Sequence, residues 1–213
     1  MDNKCLISVV NPTQKFLYFT PMFENINKNV SKSAVFTAKE LARMNELLQV
    51  KHFPKKTYLL QEGEICNFEG YINKGCVRTY YIDENGFEVT LMFSIEDWWI
   101  GDIASFYEQK PSNLFIETLE ECEVMMFNPV TKEMLLSEIP KFERVFRLMI
   151  QRSLSSMVNR LINTISKPAQ EKYLEFIKKY PTISQRVPQH YIASYLGISP
   201  EFLSKVRTKL LKK

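Results

Sequence analysis

The middle of the chain, from Lys51 to Asn128, is a succession of short runs rich in β-branched and aromatic residues, each closed by turn-forming residues. The third and fourth runs are joined by a segment ending in Asn85-Gly86, which is the strongest short-range signal of a β-hairpin. Short strands at this spacing, without helices between them, predict an antiparallel sandwich or barrel. The runs cover 52–60, 68–72, 77–82, 87–93, 115–119 and 122–127.

The hydrophobic period becomes helical on either side of this region. Before it, an amphipathic helix is predicted from Ser33 to Val50. After Pro140, apolar residues recur at steps of three and four in one long predicted helix. They form a narrow seam of the kind that joins two helices from two subunits, although packing on the chain's own β-region is the alternative. The seam consists of Ile150, Leu154, Met157, Leu161 and Ile165.

The C-terminal segment has the pattern of a helix-turn-helix unit. A short helix is predicted from Gln189 to Tyr195, and Gly197 can adopt the left-handed conformation of a turn. Ser199 is a suitable N-cap for a second helix and Pro200 suits its first position. The expected contacts between the two helices come from Ile192, Ala193, Leu196, Ile198, Leu203 and Val206.

A helix-turn-helix of this pattern indicates DNA binding, with the second helix in the major groove. Glu201 is suited to accept a hydrogen bond from a cytosine amino group, and Lys205 to donate one to guanine. Phe202 belongs either to the domain core or to an apolar contact with DNA. The candidate contacts to phosphates or of mixed type are Ser199, Ser204, Arg207, Thr208 and Lys209, and Pro200 is counted with the DNA-binding residues as the first position of the helix.

The charge distribution agrees with a polyanionic partner. Residues 1–139 carry 13 Lys and Arg against 20 Asp and Glu, whereas residues 140–213 carry 15 against 4. An acidic body joined to a basic module favours nucleic acid as the partner, with an anionic membrane surface as the second possibility.

Other protein classes have less support. The four cysteines, Cys5, Cys66, Cys76 and Cys122, form no C-x-x-C pair, and His52 and His190 are the only histidines, so a cupin-type metal site is not expected. No apolar run approaches the ~18 residues of a membrane span, and a cytoplasmic protein is expected. No nucleophile, base and orienting group are recognisable together, so no enzyme is predicted.

The order of these parts resembles the cyclic-AMP receptor protein and fumarate–nitrate regulator (Crp/Fnr) family of bacterial transcription factors. The resemblance covers about residue 40 to the C-terminus and is most specific at EGE (62–64), INKGCVRTYYIDENGFEVTLMF (72–93), WWIGDIASF (98–106), ECEV (121–124) and ISPEFLSKVR (198–207). It implies an α+β protein with a cyclic-nucleotide-binding jelly roll, a dimerisation helix and a winged helix-turn-helix. The domains are then an N-terminal extension (1–24), a sensor domain (25–140), the dimerisation helix (141–166) and a DNA-binding domain (167–213).

The resemblance also implies partners. Members bind near-palindromic DNA as homodimers, and RNA polymerase and a small-molecule effector are further candidate partners. An iron–sulfur cluster would need cysteines near the N-terminus, where only Cys5 lies, and nothing pairs Cys76 with His52 as haem ligands. We therefore expect no cofactor.

The cyclic-nucleotide pattern of the family is incomplete in this sequence. Gly101 matches the first residue of the phosphate cassette, but Asp102 stands in place of the ribose-binding Glu. Ser112 stands where the phosphate-binding Arg is expected, and Asn113 replaces the following Ser or Thr. Neither supplies a positive charge to a buried phosphate, so we expect weak or absent cyclic AMP binding.

Three alternatives remain open from the sequence. Trp98, Trp99 and Phe106 line an apolar pocket for another ligand, or they pack structurally. The second alternative is a nucleotide- or small-molecule-sensing module that regulates a protein partner through its C-terminal helices. The third alternative is a ligand-binding or catalytic sandwich of the cupin type.

Overall fold

The computed structural model describes residues 21–211, and its centre is a β-sandwich of two four-stranded sheets. All strand pairings are antiparallel, which confirms the predicted sandwich. The first sheet contains, in spatial order, β1 (Gln49–Phe53), β8 (Cys122–Phe127), β3 (Glu69–Lys74) and β6 (Trp99–Ile100). The second contains β2 (Tyr58–Leu60), β7 (Phe115–Thr118), β4 (Val77–Ile82) and β5 (Glu88–Ser94).

Helices flank the sandwich and make up the C-terminal third of the described chain. Two of them precede the strands: α1 (Glu24–Ser31), after a 3-10 turn at Pro21–Phe23, and α2 (Ala38–Leu47). α3 (Ile103–Glu108) lies between strands, and α4 (Pro129–Glu138) follows them. The long α5 (Lys141–Ser166) leads into α6 (Ala169–Lys179), α7 (Ile183–Arg186), α8 (Gln189–Leu196) and α9 (Pro200–Leu211).

The strand predictions need two corrections. The run 52–60 is not one strand, because Pro54 interrupts it and Lys56 has a positive φ of 63°. The expectation of no helix between strands is also wrong, since β6 and α3 lie between β5 and β7. A two-residue strand and a six-residue helix are too short to produce a hydrophobic period.

The N-terminal helix prediction is also corrected. The predicted 33–50 helix is shortened to α2, because Thr37 and Glu40 form a capping box. The Thr37 Oγ1 accepts from the Glu40 N–H at 3.3 Å, and the Glu40 carboxylate accepts from the Thr37 N–H at 2.7 Å. At the other end, Val50 already pairs with Met125 in the first sheet. The preceding α1 was not predicted, and residues 1–20 of the proposed N-terminal extension lie outside the described range.

Two buried clusters belong to the sandwich and the helices next to it. One fills the space between the two sheets, with Leu60, Ile72 and Ile116 among its members. The other packs α1, α2, α4 and the first turns of α5 against the first sheet and includes Ile26, Met44, Leu135, Phe142 and Phe146. The N-terminal part of α5 is therefore anchored to the sandwich.

A third cluster joins the second sheet to the C-terminal helices. Phe93 of β5 is buried with Phe176 of α6, Ile192 of α8 and Leu203 of α9. The aromatic rings of Phe93 and Phe176 meet edge to face at 6.2 Å. The C-terminal helices therefore share a core with the sandwich.

The strands are confined to the middle of the described chain. All strands within residues 21–211 lie between Gln49 and Phe127, so the wing implied by the resemblance is not found beside α9 in this range. The chain from Lys141 to Leu211 forms five helices, which leaves no segment for strands there.

None of the helices in the described range has the length and hydropathy required to cross a membrane.

Candidate nucleic-acid interface and sensor pocket

A three-residue turn, 197–199, connects α8 to α9. Gly197 has a φ of 67°, in the left-handed region that favours glycine. Its N–H donates to the Ser194 carbonyl at 3.1 Å, and the Ile198 N–H donates to the Ala193 carbonyl at 3.1 Å. These bonds satisfy the last carbonyls of α8 and define the direction in which α9 leaves.

The first turn of α9 is capped by a side chain. The Ser199 hydroxyl accepts a hydrogen bond from the Phe202 N–H at 3.2 Å, and Pro200 occupies the first helical position. The backbone N–H of Glu201 and the Ser199 hydroxyl lower the pKa of the Glu201 carboxyl. Glu201 is thus ionised at neutral pH and can act only as a hydrogen-bond acceptor.

The inner faces of α8 and α9 pack on each other and on α6. The small Ala193 is fully buried, which allows the two helices to approach closely. Ile192, Leu196, Leu203 and Val206 are buried in the same cluster, and Ile198 packs against it while partly exposed. The structure therefore brings all six predicted contact residues together.

The outer face of α9 is open to solvent and mostly polar, with Phe202 49% exposed beside the polar residues. Within it, Ser204, Lys205, Thr208 and Lys209 line a shallow depression of about 400 Å³. The Thr208 hydroxyl donates to the Ser204 carbonyl at 3.0 Å. Of the eight sequence-predicted DNA contacts, Arg207 is partly buried, and the exposed ones are Ser199, Pro200, Glu201, Ser204, Lys205, Thr208 and Lys209.

Sequence reasoning missed the attachment of α8 to the edge strand β5. The β4–β5 register shifts, so that Thr79 pairs with Met92 but Tyr80 pairs with Thr90, which leaves Leu91 as a bulge. The Ser194 hydroxyl accepts from the Thr90 N–H at 2.9 Å and donates to a β5 carbonyl at 2.7 Å. α8 therefore supplies hydrogen bonds that a further strand would otherwise make.

Arg160 of α5 completes this junction. Its guanidinium donates to the carbonyls of Leu91, Thr90 and Tyr195, the second and third at 3.0 and 3.1 Å. It also lies over the Tyr195 ring, 4.1 Å from the centroid. One side chain thus connects α5, the bulge of β5 and α8.

Arg78 of β4 forms a second contact between the sandwich and α8. Its side chain is fully buried and pairs with Glu88 at 2.6 Å and Glu117 at 2.9 Å. The guanidinium lies between two rings, 3.9 Å from Tyr80 and 3.6 Å from Tyr191 of α8. Two carboxylates and two ring faces therefore compensate its burial.

Arg186 of α7 forms a third contact. Its guanidinium forms a bidentate ion pair with the Glu96 carboxylate, at 2.8 and 2.9 Å, and also donates hydrogen bonds to the Glu120 carboxylate. The partners are separated from it by 90 and 66 residues. No local pattern in a sequence links an arginine to carboxylates at such separations.

The residues proposed for the degenerate nucleotide pocket are only partly brought together. Asp102 follows Gly101 and caps α3 by accepting from the Ser105 N–H at 3.2 Å. The buried Ser112 donates its hydroxyl to the other Asp102 oxygen at 2.7 Å. Asp102 and Ser112 therefore satisfy each other's polar groups.

The predicted pocket residue Asn113 is exposed and directly follows the buried Ser112. The nearby Lys110 is also exposed and pairs with Glu108 at 2.8 Å. Within residues 21–211, neither Lys nor Arg forms a hydrogen bond with Ser112 or an ion pair with Asp102.

The aromatic residues considered for an apolar pocket do not share one. Phe106 is buried inside the sandwich, Trp99 packs on the α1–α2–α5 side, and Trp98 packs against the C-terminal helices. The alternative of a common pocket is therefore wrong. Trp98, Trp99 of β6 and Phe106 of α3 therefore pack in three different clusters.

The α5 seam lies on the surface of this single chain. Its exposed fractions run from 40% at Ile150 to 77% at Ile165. Leu154, Met157 and Leu161 lie between these values, and Val158 and Ile162 extend the apolar surface. Such contiguous exposed apolar residues mark an interaction surface, and the alternative of packing on the chain's own β-region is wrong.

The residues considered for haem ligation are in different environments. Cys76 is fully buried, and burial raises the pKa of its thiol to about 12, so the thiol stays protonated. The exposed His52 lies 3.7 Å from a carboxylate oxygen of Glu123. Residues 21–211 contain no group of three His, Cys, Asp or Glu side chains placed to hold a metal ion. Cys5 lies outside the described range.

The structure defines a class of fold, an eight-stranded β-sandwich that carries a helical C-terminal unit. Residues 50–138 match the family model described as "Cyclic nucleotide-binding domain". No curated protein has a sequence that matches this chain significantly.

Solved structures share the fold over most of both chains. The c-di-GMP responsive global regulator CLP of Xanthomonas campestris has a TM-score of 0.69 at 15% identity, covering 83% of this chain and 92% of that one. FixK2 of Bradyrhizobium japonicum has a TM-score of 0.66 at 15% identity, with coverages of 78% and 85%. The Thermus thermophilus catabolite activator protein has a TM-score of 0.53 at 16% identity, with coverages of 91% and 87%. At these identities the likeness concerns the fold.

Proposed function

We propose that this chain is a sequence-specific DNA-binding transcription regulator of the Crp/Fnr type, without catalytic activity. The observation that carries the proposal is the capped α9, which presents Glu201, Ser204 and Lys205 to solvent while its opposite face is buried. The excess of basic residues after Pro140 supplies the attraction to DNA. The regulators that share the fold agree with it.

In this proposal α9 lies in the major groove with its N-terminal turn towards the base edges. Glu201 accepts from a cytosine amino group and Lys205 donates to guanine. Ser199, Ser204, Arg207, Thr208 and Lys209 make phosphate or mixed contacts, and the phosphate contacts position the helix without selecting sequence. Pro200, which has no N–H, begins the helix. The unit α8–α9 is then a helix-turn-helix.

The proposed regulator is a homodimer in the cytoplasm. The exposed seam of α5 pairs with the same seam of a second copy, which buries apolar surface that a single chain leaves in water. The two copies of α9 then face half-sites about one helical turn apart. RNA polymerase is a candidate partner of the DNA-bound dimer.

The sandwich is proposed to sense a small molecule other than cyclic AMP. The Asp102–Ser112 hydrogen bond supports this, because no described Lys or Arg pairs with either side chain and the nearby Lys110 is paired with Glu108. We expect no resident cofactor.

Selection from a pool of random-sequence duplexes, followed by fluorescence anisotropy on the selected site, tests the DNA proposal. The expected product is a near-palindrome with half-sites about 10 base pairs apart. Lys205→Gln should weaken binding at least about tenfold and relax the preference at one base pair per half-site. Lys39→Gln removes an exposed lysine of α2, outside the proposed interface, and should leave affinity unchanged.

Two outcomes would overturn the proposal. One is a pool that shows no enrichment. The other is binding whose affinity does not fall steeply with salt, because neutralising phosphates releases counterions. Either result would favour the alternative, a sensing module that docks on a protein partner.

A further inference from the structure

A cavity of about 520 Å³ lies between the C-terminal half of α5 and the helices α6 and α8. Neither Asp102 nor Ser112 lines it, so it is separate from the proposed nucleotide pocket. Its volume falls within the range of sites for small organic ligands. Asn159 and Asn163 of α5 provide amide groups along one wall.

The charge of this cavity is strongly positive. Arg160, Lys172, Lys178 and Lys179 line it, against the single carboxylate of Glu175. The Glu175 carboxylate is itself paired with Lys167. The local field therefore favours an anion.

Among the described residues no carboxylate pairs with Arg160, which is the second and independent observation. Its guanidinium bonds only to backbone carbonyls, and its Nε is buried without a hydrogen-bond partner among the described residues. Burial lowers the pKa of Arg160 from its usual value. Elsewhere in this protein the buried Arg78 has two carboxylates. A partly buried cation without an anion is costly, and an anionic ligand would remove that cost.

One side of the cavity is aromatic. Phe176, Tyr180 and Tyr195 line it, with the Phe176 and Tyr195 rings 5.3 Å apart. Aromatic faces beside cationic groups suit a ligand that has an apolar or planar part as well as a charged one.

We propose that this cavity is a binding site for a small phosphorylated molecule, with Lys172 holding the phosphate oxygens and Arg160 contributing its positive charge to the wall. Phosphate esters and pyrophosphates combine high charge with the oxygen acceptors that ammonium groups bind. The aromatic wall favours a small molecule with a planar part over a DNA backbone.

The site is compatible with dimerisation through α5. Asn159 and Asn163 are each two residues from Leu161 of the seam, which places them ~160° away around the helix. The cavity and the seam therefore use opposite faces of α5. A ligand there would contact two of the elements that Arg160 connects.

Calorimetric titration of the full chain with inorganic pyrophosphate, at constant ionic strength and without DNA, tests the site. We expect saturable binding with a Kd below about 1 mM. Lys172→Gln should weaken it about tenfold through loss of a charged hydrogen bond. Lys39→Gln, which changes the net charge equally but lies outside the cavity, should leave it within about twofold.

Three results would overturn the proposal. The first is the absence of saturable binding, and the second is equal weakening by Lys172→Gln and Lys39→Gln. The third is displacement of pyrophosphate by DNA of unrelated sequence together with an equal loss of DNA affinity in Lys172→Gln, which would identify a DNA phosphate contact instead. Because the titration contains no DNA, its failure is distinct from a failure of the DNA-binding proposal.

Discussion

Three arginines, Arg78, Arg160 and Arg186, connect the β-sandwich to the C-terminal helices. Arg78 and Arg186 pair with carboxylates of the sandwich, whereas Arg160 reaches backbone carbonyls exposed at the β5 bulge. Arginine suits all three positions because its planar fork donates in several directions and stacks on rings. Lysine, with a compact charge, would not reproduce these contacts.

At the residue scale, we predict that the proposed sensor pocket does not bind cyclic AMP. Ser112 offers no charge to the cyclic phosphate, and its hydroxyl is already bonded to Asp102 at 2.7 Å. Calorimetry with cyclic AMP is expected to show no saturable binding in the micromolar range. Micromolar binding that Lys172→Gln leaves unchanged would show that the sandwich does bind the nucleotide.

At the scale of elements, α5 has two different halves. Its first turns are buried, as Phe142, Val145 and Phe146 pack against the sandwich. From Ile150 onward its apolar residues are exposed. A helix that is anchored at one end and apolar on an open face at the other is suited to pair with a second copy.

Leu161→Glu should convert the proposed dimer into a monomer. The Leu161 side chain is 58% exposed in the single chain, and a carboxylate at this position would be buried unpaired in a dimer. We expect the dimer Kd to rise at least about a hundredfold, measured by sedimentation equilibrium. Ser155→Glu, on another face of α5, should leave the dimer intact.

A wild-type chain that sediments as a monomer at every concentration would contradict this prediction. So would equal dissociation of the Leu161→Glu and Ser155→Glu variants, because the effect would then come from net charge rather than from the seam.

At the scale of the whole molecule, α9 is connected to the second sheet through α8. Phe93 and Ile192 share one buried cluster, and Ser194 bonds to Thr90, which adjoins the β5 bulge, and to Glu88, two residues before Thr90. A change in the β4–β5 sheet would therefore alter contacts of α8, whose partner is α9. This arrangement provides a physical route between the sandwich and α9, the helix proposed to face DNA.

Ser194→Ala should loosen this connection without unfolding the protein. The variant leaves the Thr90 N–H without its acceptor in a buried position, which costs about 1–3 kcal/mol. Hydrogen exchange of the Thr90 amide should accelerate at least about fivefold, and the thermal midpoint should fall by only a few degrees. Ser155→Ala serves as the control, and unchanged exchange at Thr90 would contradict the proposed contact.

Local signals allowed much of the architecture to be predicted from the sequence. The Asn85-Gly86 turn, the four- and three-residue steps of α5 and the Ser199-Pro200 start of α9 each depend on residues close in the chain. Such features arise from turn geometry, helix periodicity and capping, which operate over a few residues. The short elements β6 and α3 lacked enough residues for any period.

The sequence by itself determined that an antiparallel β-region is flanked by helices, where the long helix α5 lies, and which residues form the polar face of α9. Only the tertiary structure decided that Asn113 points outward, that Trp98, Trp99 and Phe106 separate, and that α8 docks on the β5 bulge. The Arg160 cavity likewise formed only when α5, α6 and α8 came together. The physical reason is that these contacts join residues tens of positions apart, whose pairing depends on how the preformed elements pack.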